Sequence, residues 1–384
     1  MSAAGLYIHI PFCMKKCRYC GFYSTTSVDM LPAFINALLQ EMGLCKHYFK
    51  AFDTVYIGGG TPSLLSMKYL EKILEAAAKN FSLASQAEVT IETNPSDIDL
   101  SSLRDMRGLG INRLNIGIQS FDDDILKFLG RRHDRSHALS AIRAADKAGF
   151  ENIGMDLIYD IPGQDRSSWL ETLHLALSFH PAHLSCYQLT FEQGTPMSTA
   201  LKNGEFFPPD EEELADLFFL TSDTISKAGY IHYEVSNFAR NEELKSRHNQ
   251  KYWDHTSYLG LGPGAHSFDG RRRWWNHSSL TAYIADLENQ VRPVAASENL
   301  TDEQLQLEAI FLGLRTINGF NLDNLKNGGK HLLTTKQMDM VYRLNELGLL
   351  QTTEGFLKPT LAGMAVADSL ALIMGEGVQS FPAS

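Results

Sequence analysis

Cysteine is scarce in this chain: five occur among 384 residues, too few and too unevenly placed for a disulfide framework. Long apolar runs are missing as well. The longest, Leu6–Ile10 and Ile153–Ile161, fall far short of the roughly 20 residues that a bilayer requires. The first residues carry no basic, apolar, small-residue signal pattern, so a cytoplasmic protein without a transmembrane segment is expected. Basic charge is short too. Thirty-four Lys+Arg face 45 Asp+Glu, a formal net charge of −11, which argues against a protein that holds nucleic acid by electrostatics. Low-complexity tracts are absent. What is present is a composition of 44% hydrophobic, 21% charged and 10% aromatic residues, that of a folded globular protein. Three of the five cysteines crowd at Cys13, Cys17 and Cys20, and a metal site is the leading reading of that cluster.

Short β-rich runs alternate with helical patterns along the first two thirds of the chain. The strands fall at Leu6–Ile10, Thr54–Ile57, Glu88–Glu92, Arg113–Ile118, Ile153–Ile158 and His183–Leu189. Helices are signalled at Met30–Met42, Met67–Lys79, Ser101–Gly108, Ser136–Ala148, Ser167–Ser178 and Asp210–Lys227, several opened by Ser or Asp and closed near Gly. This predicts an α/β fold with a parallel sheet over residues 1–235, closing partly into a (β/α)6 TIM-like barrel; an open doubly wound sheet is the alternative. The unusual residues favour the barrel, because most lie at or just past the C-terminal ends of different strands, which in a barrel share one mouth. Residues 236–300 read as a loop-rich connecting region, and 301–379 as a small helical, winged-helix-like C-terminal domain.

Cys13, Cys17 and Cys20 lie in the loop after the first strand. Three thiolates are one ligand short of a structural zinc site, which His9 would have to complete. Held by three cysteines, a [4Fe-4S] cluster would instead leave one iron open. The spacing Cys-x3-Cys-x2-Cys resembles the signature of the radical S-adenosylmethionine (SAM) superfamily, in which that open iron chelates SAM. Gly58-Gly59-Gly60-Thr61-Pro62 follows the second strand and resembles the family's loop for the amino end of SAM. Glu92 ends the third strand, Gln119 the fourth, Asp156 lies on the fifth, and Arg131 stands in Gly130-Arg131-Arg132-His133. With Tyr7 ahead of the cysteines and Tyr19 among them, these residues resemble in order the SAM-contacting positions of the oxygen-independent coproporphyrinogen oxidases. The resemblance covers essentially the whole chain and implies a radical SAM barrel with cluster and SAM sites.

Two places separate the branches of that family. The decarboxylating oxidases resemble Cys-x3-Cys-x2-Cys-x-Cys and carry an N-terminal arm; here the fourth position is Phe22, expected to pack at the edge of the cluster, and the first strand begins near Leu6. Separately, His248-Asn249-Gln250-Lys251-Tyr252-Trp253 resembles the HNxxYW motif of the heme-chaperone branch, which lacks the oxidase activity. Imidazole is a good iron ligand, and Tyr252 and Trp253 offer flat apolar faces, with Arg247 or Lys251 available for propionates. Read without the family, a histidine beside aromatics is more often a hydrogen-bonded structural residue. His266, in a glycine-rich turn, and His255 and His277 compete for the same role. The branch implies heme as cargo and heme-accepting proteins, membrane-bound ones included, as partners; a homodimer is left open. Coproporphyrinogen oxidase activity is the enzymatic alternative. Cys45 and Cys186 read as buried hydrophobes, and Asp122–Asp124 as a helix start.

Overall fold

The computed structural model describes residues 3–375 apart from 209, 323–325, 328–329, 332 and 334; the end of the expected C-terminal span, 376–379, lies outside the described residues. Six βα units occupy the first half: β1 (Ala4–Ile10), α1 (Leu31–Cys45), β2 (Phe52–Gly59), α2 (Met67–Asn80), β3 (Leu83–Thr93), α3 (Leu100–Gly108), β4 (Arg113–Gln119), α4 (Asp123–Leu129), α5 (Arg135–Lys147), β5 (Asn152–Tyr159), α6 (Arg166–Leu177) and β6 (His183–Gln188). Their starts follow local chemistry. Asp134 and Asp165 accept amide bonds at the heads of α5 and α6, and Asp122 does so for α4, so the acidic run is a helix cap.

All neighbouring pairs from β1 to β6 are parallel and the strands lie in chain order. A doubly wound sheet would reverse its order part-way; this one does not, and the continuous winding is that of a barrel. It stays open. After α7 (Pro196–Lys202) and α8 (Glu211–Lys227), β7 (Ile231–Glu234) and β8 (Asn237–Ala239) extend the β6 side. Beyond β1 come β9 (Tyr258–Leu261), β10 (His266–Phe268), β11 (Arg272–Asn276) and β12 (Val294–Asn299), which form one twelve-stranded sheet with the rest. Between them lie α9 (Arg247–Trp253) and α10 (Leu280–Glu288). The stretch expected to be loop-rich therefore supplies one margin of the sheet, β9 to β12, and β8 next to the outer strand β7 of the other. Strands of three to six residues are too short for alternation to stand out against turns.

Parallel strands buried on both faces usually read as unbroken apolar runs. Here they alternate. Leu6, Ile8, Ile10, Val55, Ile57, Ile91, Leu114, Ile116, Met155, Leu157 and Leu184 join one core beneath the helices. The alternate positions, among them Tyr7, His9, Tyr56, Glu92, Asn115, Asp156 and Ser185, face the other way and line a polar lumen. Trp169, fully buried on α6, packs against Tyr159 and donates to Thr221 at 2.8 Å.

The remainder begins with α11 (Asp302–Gly313) and α12 (Thr335–Glu346). A small antiparallel sheet joins Phe320–Asn321, Phe356–Pro359 and Leu350–Thr353, and α13 (Leu361–Ala365) and α14 (Ala367–Gly375) follow. Ile310, Leu314, Val341, Leu344, Leu350, Leu357, Leu370 and Met374 give this unit a core of its own, the helical, hairpin-bearing arrangement that the sequence predicts. Arg315 ties it to the barrel through Glu234 at 3.2 Å. Among the described residues no helix is long and apolar enough to cross a membrane.

Candidate functional site

The C-terminal ends of the strands form the mouth. The chain leaves β1 through Pro11 and Phe12 into the cysteine loop, which is tied down by backbone bonds: Cys13 to Thr25 at 2.9 Å, Arg18 to Leu129 at 3.2 Å, and Met197 to Arg18 at 2.9 Å. Gly59 and Gly60 run against this loop. The first has φ +111°, and a Cβ there would strike the His9 ring at 2.6 Å; a Cβ on Gly60 would meet the Phe12 carbonyl at 2.6 Å. This close approach lets the Gly60 and Thr61 amides donate to Ile10 and Phe12, each at 2.8 Å, and lets the Thr61 hydroxyl reach Cys13 Sγ at 3.4 Å.

Cys13 is buried, Cys17 and Cys20 are partly buried, and all five cysteines are free thiols. Burial first, and then the neighbouring Cys17 and Cys13, push the Cys20 thiol up. Arg131 donates Nη2 to the Gly117 carbonyl at 2.7 Å and Nη1 to Cys17 Sγ at 3.6 Å. A fixed positive charge thus stands at that sulfur, beside the half-buried Tyr19 phenol, whose pKa desolvation pushes up. A zinc site would need His9, and His9 is occupied. Its Nε2 donates to the Tyr23 carbonyl at 3.0 Å, so its Nδ1 accepts the Tyr7 hydroxyl at 3.0 Å. Among the described residues no three His, Cys, Asp or Glu side chains are set to hold a single metal ion. Three thiols of one loop that do not converge on one ion suit a polynuclear cluster, in which each iron takes one sulfur.

Behind the cysteines the lumen carries carboxylates. Glu92 accepts the Tyr56 hydroxyl at 2.8 Å and the Gly59 amide at 3.0 Å; burial, with Asp156 nearby, pushes it up to about 7. Asp156 Oδ2 accepts from Asn115 at 2.6 Å, while its Oδ1 is buried with no partner. Arg131 Nε is orphaned in the same way. Such groups are costly unless a ligand completes them. Gln119 sits at the end of β4 with φ +65°, a conformation that non-glycine residues seldom adopt and that tends to collect at functional sites. Phe22, expected at the edge of the cluster, is 70% exposed on the protein's own surface.

The HNQKYW segment lies at the other end. It forms α9 beneath the barrel, next to Gly5 and Thr54 near the N-terminal ends of β1 and β2 and to Glu88, the residue of β3 opposite Thr54. Thr54 and Gly59 are about 16 Å apart along β2 at the usual strand rise. His248 is 1% exposed. Its ring nitrogens are bonded to Thr54 Oγ1 at 2.8 Å and Tyr252 Oη at 3.0 Å, and its face stacks on Tyr56 at 5.1 Å and Tyr7 at 6.3 Å. Burial pushes it down to about 3, so the ring is neutral. The expected heme ligand therefore has no free nitrogen in this conformation. Tyr252 and Trp253 meet Tyr258 and Tyr233 edge-on, and Arg247 and Lys251 both pair with Asp53, so neither cation is free for a propionate. Composition alone does not separate a buried plug from an open site.

Against this geometry, residues 7–176 match the model of the radical SAM superfamily. The heme chaperone HemW of Synechocystis sp. is 37% identical over 82% of this chain and 78% of its own length. HemW of Bacillus subtilis is 31% identical over 96% of this chain and 99% of its own. The chain belongs to the HemW family. Its fold is also that of coproporphyrinogen III oxidase (HemN) from Escherichia coli, with a TM-score of 0.84 at 23% identity, covering 97% of this chain and 90% of that one. Radical SAM membership implies a [4Fe-4S] cluster and SAM for a HemW-family protein, and the cysteine loop and the orphaned lumen atoms fit them. Tyr56, Tyr23 and Thr54 hold this lumen together yet went unnoticed in the sequence. The one signal for the first and last was the polar row Thr54, Tyr56, Gly58 in a parallel strand.

Proposed function

We propose that this chain is a heme chaperone that binds heme and passes it to acceptor proteins, membrane-bound ones included. It carries a SAM-liganded [4Fe-4S] cluster on Cys13, Cys17 and Cys20. The observation that carries the reading is the match to a HemW protein across 99% of that relative's length. Around the cluster, Gly59, Gly60 and Thr61 would receive the amino end of SAM, Arg131 its carboxylate, and Glu92, Gln119 and Asp156 its ribose, with Tyr7 and Tyr19 closing the sides. When bound, the cluster supplies one-electron reduction to the sulfonium. The protein's part is to tie down the loop, hold a cation at Cys17 and keep Asp156 Oδ1 aimed into a water-poor lumen.

Anaerobic reconstitution tests both cofactors: bound iron and sulfide with an EPR signal that SAM perturbs, then a Soret band on adding hemin and its loss to an apo-acceptor. Absence of a Soret band, or no transfer, overturns the carrier reading. The oxidase reading draws support from the intact set of lumen carboxylates, and incubation with SAM and coproporphyrinogen under reduction tests it by mass. Phe22, exposed where a fourth motif cysteine would stand, favours the carrier.

A further inference from the structure

If heme is carried, its iron needs a ligand that the plugged His248 does not present. We infer that His266, braced by Trp275, is the residue that offers imidazole to heme iron; this rests on the carrier reading above and names its ligand. Tyr258 and Gly260 pair with Gly5 and Tyr7, so the inward row of β1 continues into β9. From there it passes to Phe268 and His266 on β10 and to Arg273 and Trp275 on β11. His266 thus stands on the same face of the sheet as Tyr7 and His9, at the open margin. Its ring stacks on Trp275 with centroids 5.5 Å apart and planes at 22°, and Ala296, opposite Trp275 on β12, is small and exposed. The indole holds the imidazole nearly parallel to it, with a bare alanine beside the pair and, among the described residues, no protein group on either ring nitrogen.

The other histidines of this region are engaged. His255 lies 3.3 Å from Glu308, His277 lies 3.4 Å from Asp286, and His248 has both nitrogens bonded. His266 is exposed and has no hydrogen-bond or ion-pair partner among the described residues. Partial desolvation, by the surrounding strands, and the nearby Arg273 hold its pKa below the ordinary histidine value, which favours the neutral ring that binds metal. Arg273 itself is held by Glu298 and Glu308, so no propionate contact is assigned to it. The backbone here is tightly set, since a Cβ on Gly260 would collide with the His266 carbonyl at 2.1 Å.

Hemin titration of the full-length protein, followed by absorption, EPR and resonance Raman, tests the assignment. Wild type is expected to show a histidine-ligated iron. His266→Ala should lose that signature and weaken binding by at least about tenfold, with added imidazole restoring it, while melting like wild type. His266→Tyr should give the charge-transfer band of a phenolate ligand. His248→Gln should keep the wild-type heme spectrum. A histidine signature that survives His266→Ala but vanishes in His248→Gln overturns the inference and leaves the carrier reading standing; no hemin binding by wild type overturns both.

Discussion

The mouth of this barrel and the His248 plug at its base are built from similar residues, histidine, tyrosine, arginine and carboxylate, and they differ in completeness, although Arg113 Nε and His183 Nδ1 elsewhere at the base are also buried without partners. At the base, both nitrogens of His248 are bonded, Lys251 is paired, and Glu88 receives the amides of Arg247 and His248. At the mouth, Asp156 Oδ1 and Arg131 Nε are buried without partners and Gln119 is strained. A polar cluster with every group satisfied behaves as structure, while one left short of partners is waiting for a ligand. A histidine motif that is conspicuous in the sequence can therefore be the plug, and a quieter row of alternating polar residues the site.

The mouth is tested most directly at Cys17. Cys17→Ala should abolish cluster assembly, read as loss of bound iron and sulfide, without shifting the melting of the apoprotein beyond the small effect of a half-buried residue. Retention of a full cluster would show that Cys17 is not one of its ligands. At the base, His248→Ala should cost about 3 kcal/mol, since it empties a packed site and strands two buried hydroxyl groups. Urea unfolding measures this, and an unchanged midpoint would mean that the plug does not support the fold.

The two ends should also respond oppositely to pH. Glu92 is raised in the folded protein from 4.5 to about 7, so the folded state binds the extra proton and stability falls as pH rises through that interval. His248 is lowered from 6.5 to about 3, so the unfolded state binds the extra proton and stability falls as pH drops through that one. Urea midpoints across pH 4.5 to 7 for Glu92→Gln against wild type should show the variant gaining relative stability toward neutrality. An identical pH profile would refute the buried carboxylate. The smallest effect is expected at Thr61→Val, which removes one hydroxyl bond to Cys13 Sγ and should cost about 1 kcal/mol, visible as slightly slower cluster reconstitution with the same final iron content.

Much of the mouth was legible in the chain. The cysteine spacing, the glycines where β2 meets the loop, and the acidic positions at strand ends all carry local signals, and the structure brings Cys13, Cys17, Thr61, Glu92, Arg131 and Asp156 around one lumen. The base was not legible. Thr54 and His248 are 194 residues apart and Lys251 reaches Ala3 across 248, so nothing near His248 in sequence announces its partners.

The sequence by itself determined the βα order, the helix caps and the cysteine loop, because each depends on residues within a few positions of one another. Tertiary structure alone decided that short strands from residues 237–299 extend the sheet's margins, and that His248 is enclosed while His266 is exposed. Those outcomes depend on which distant groups reach a donor or acceptor first, and burial then decides whether a side chain is left free to bind anything.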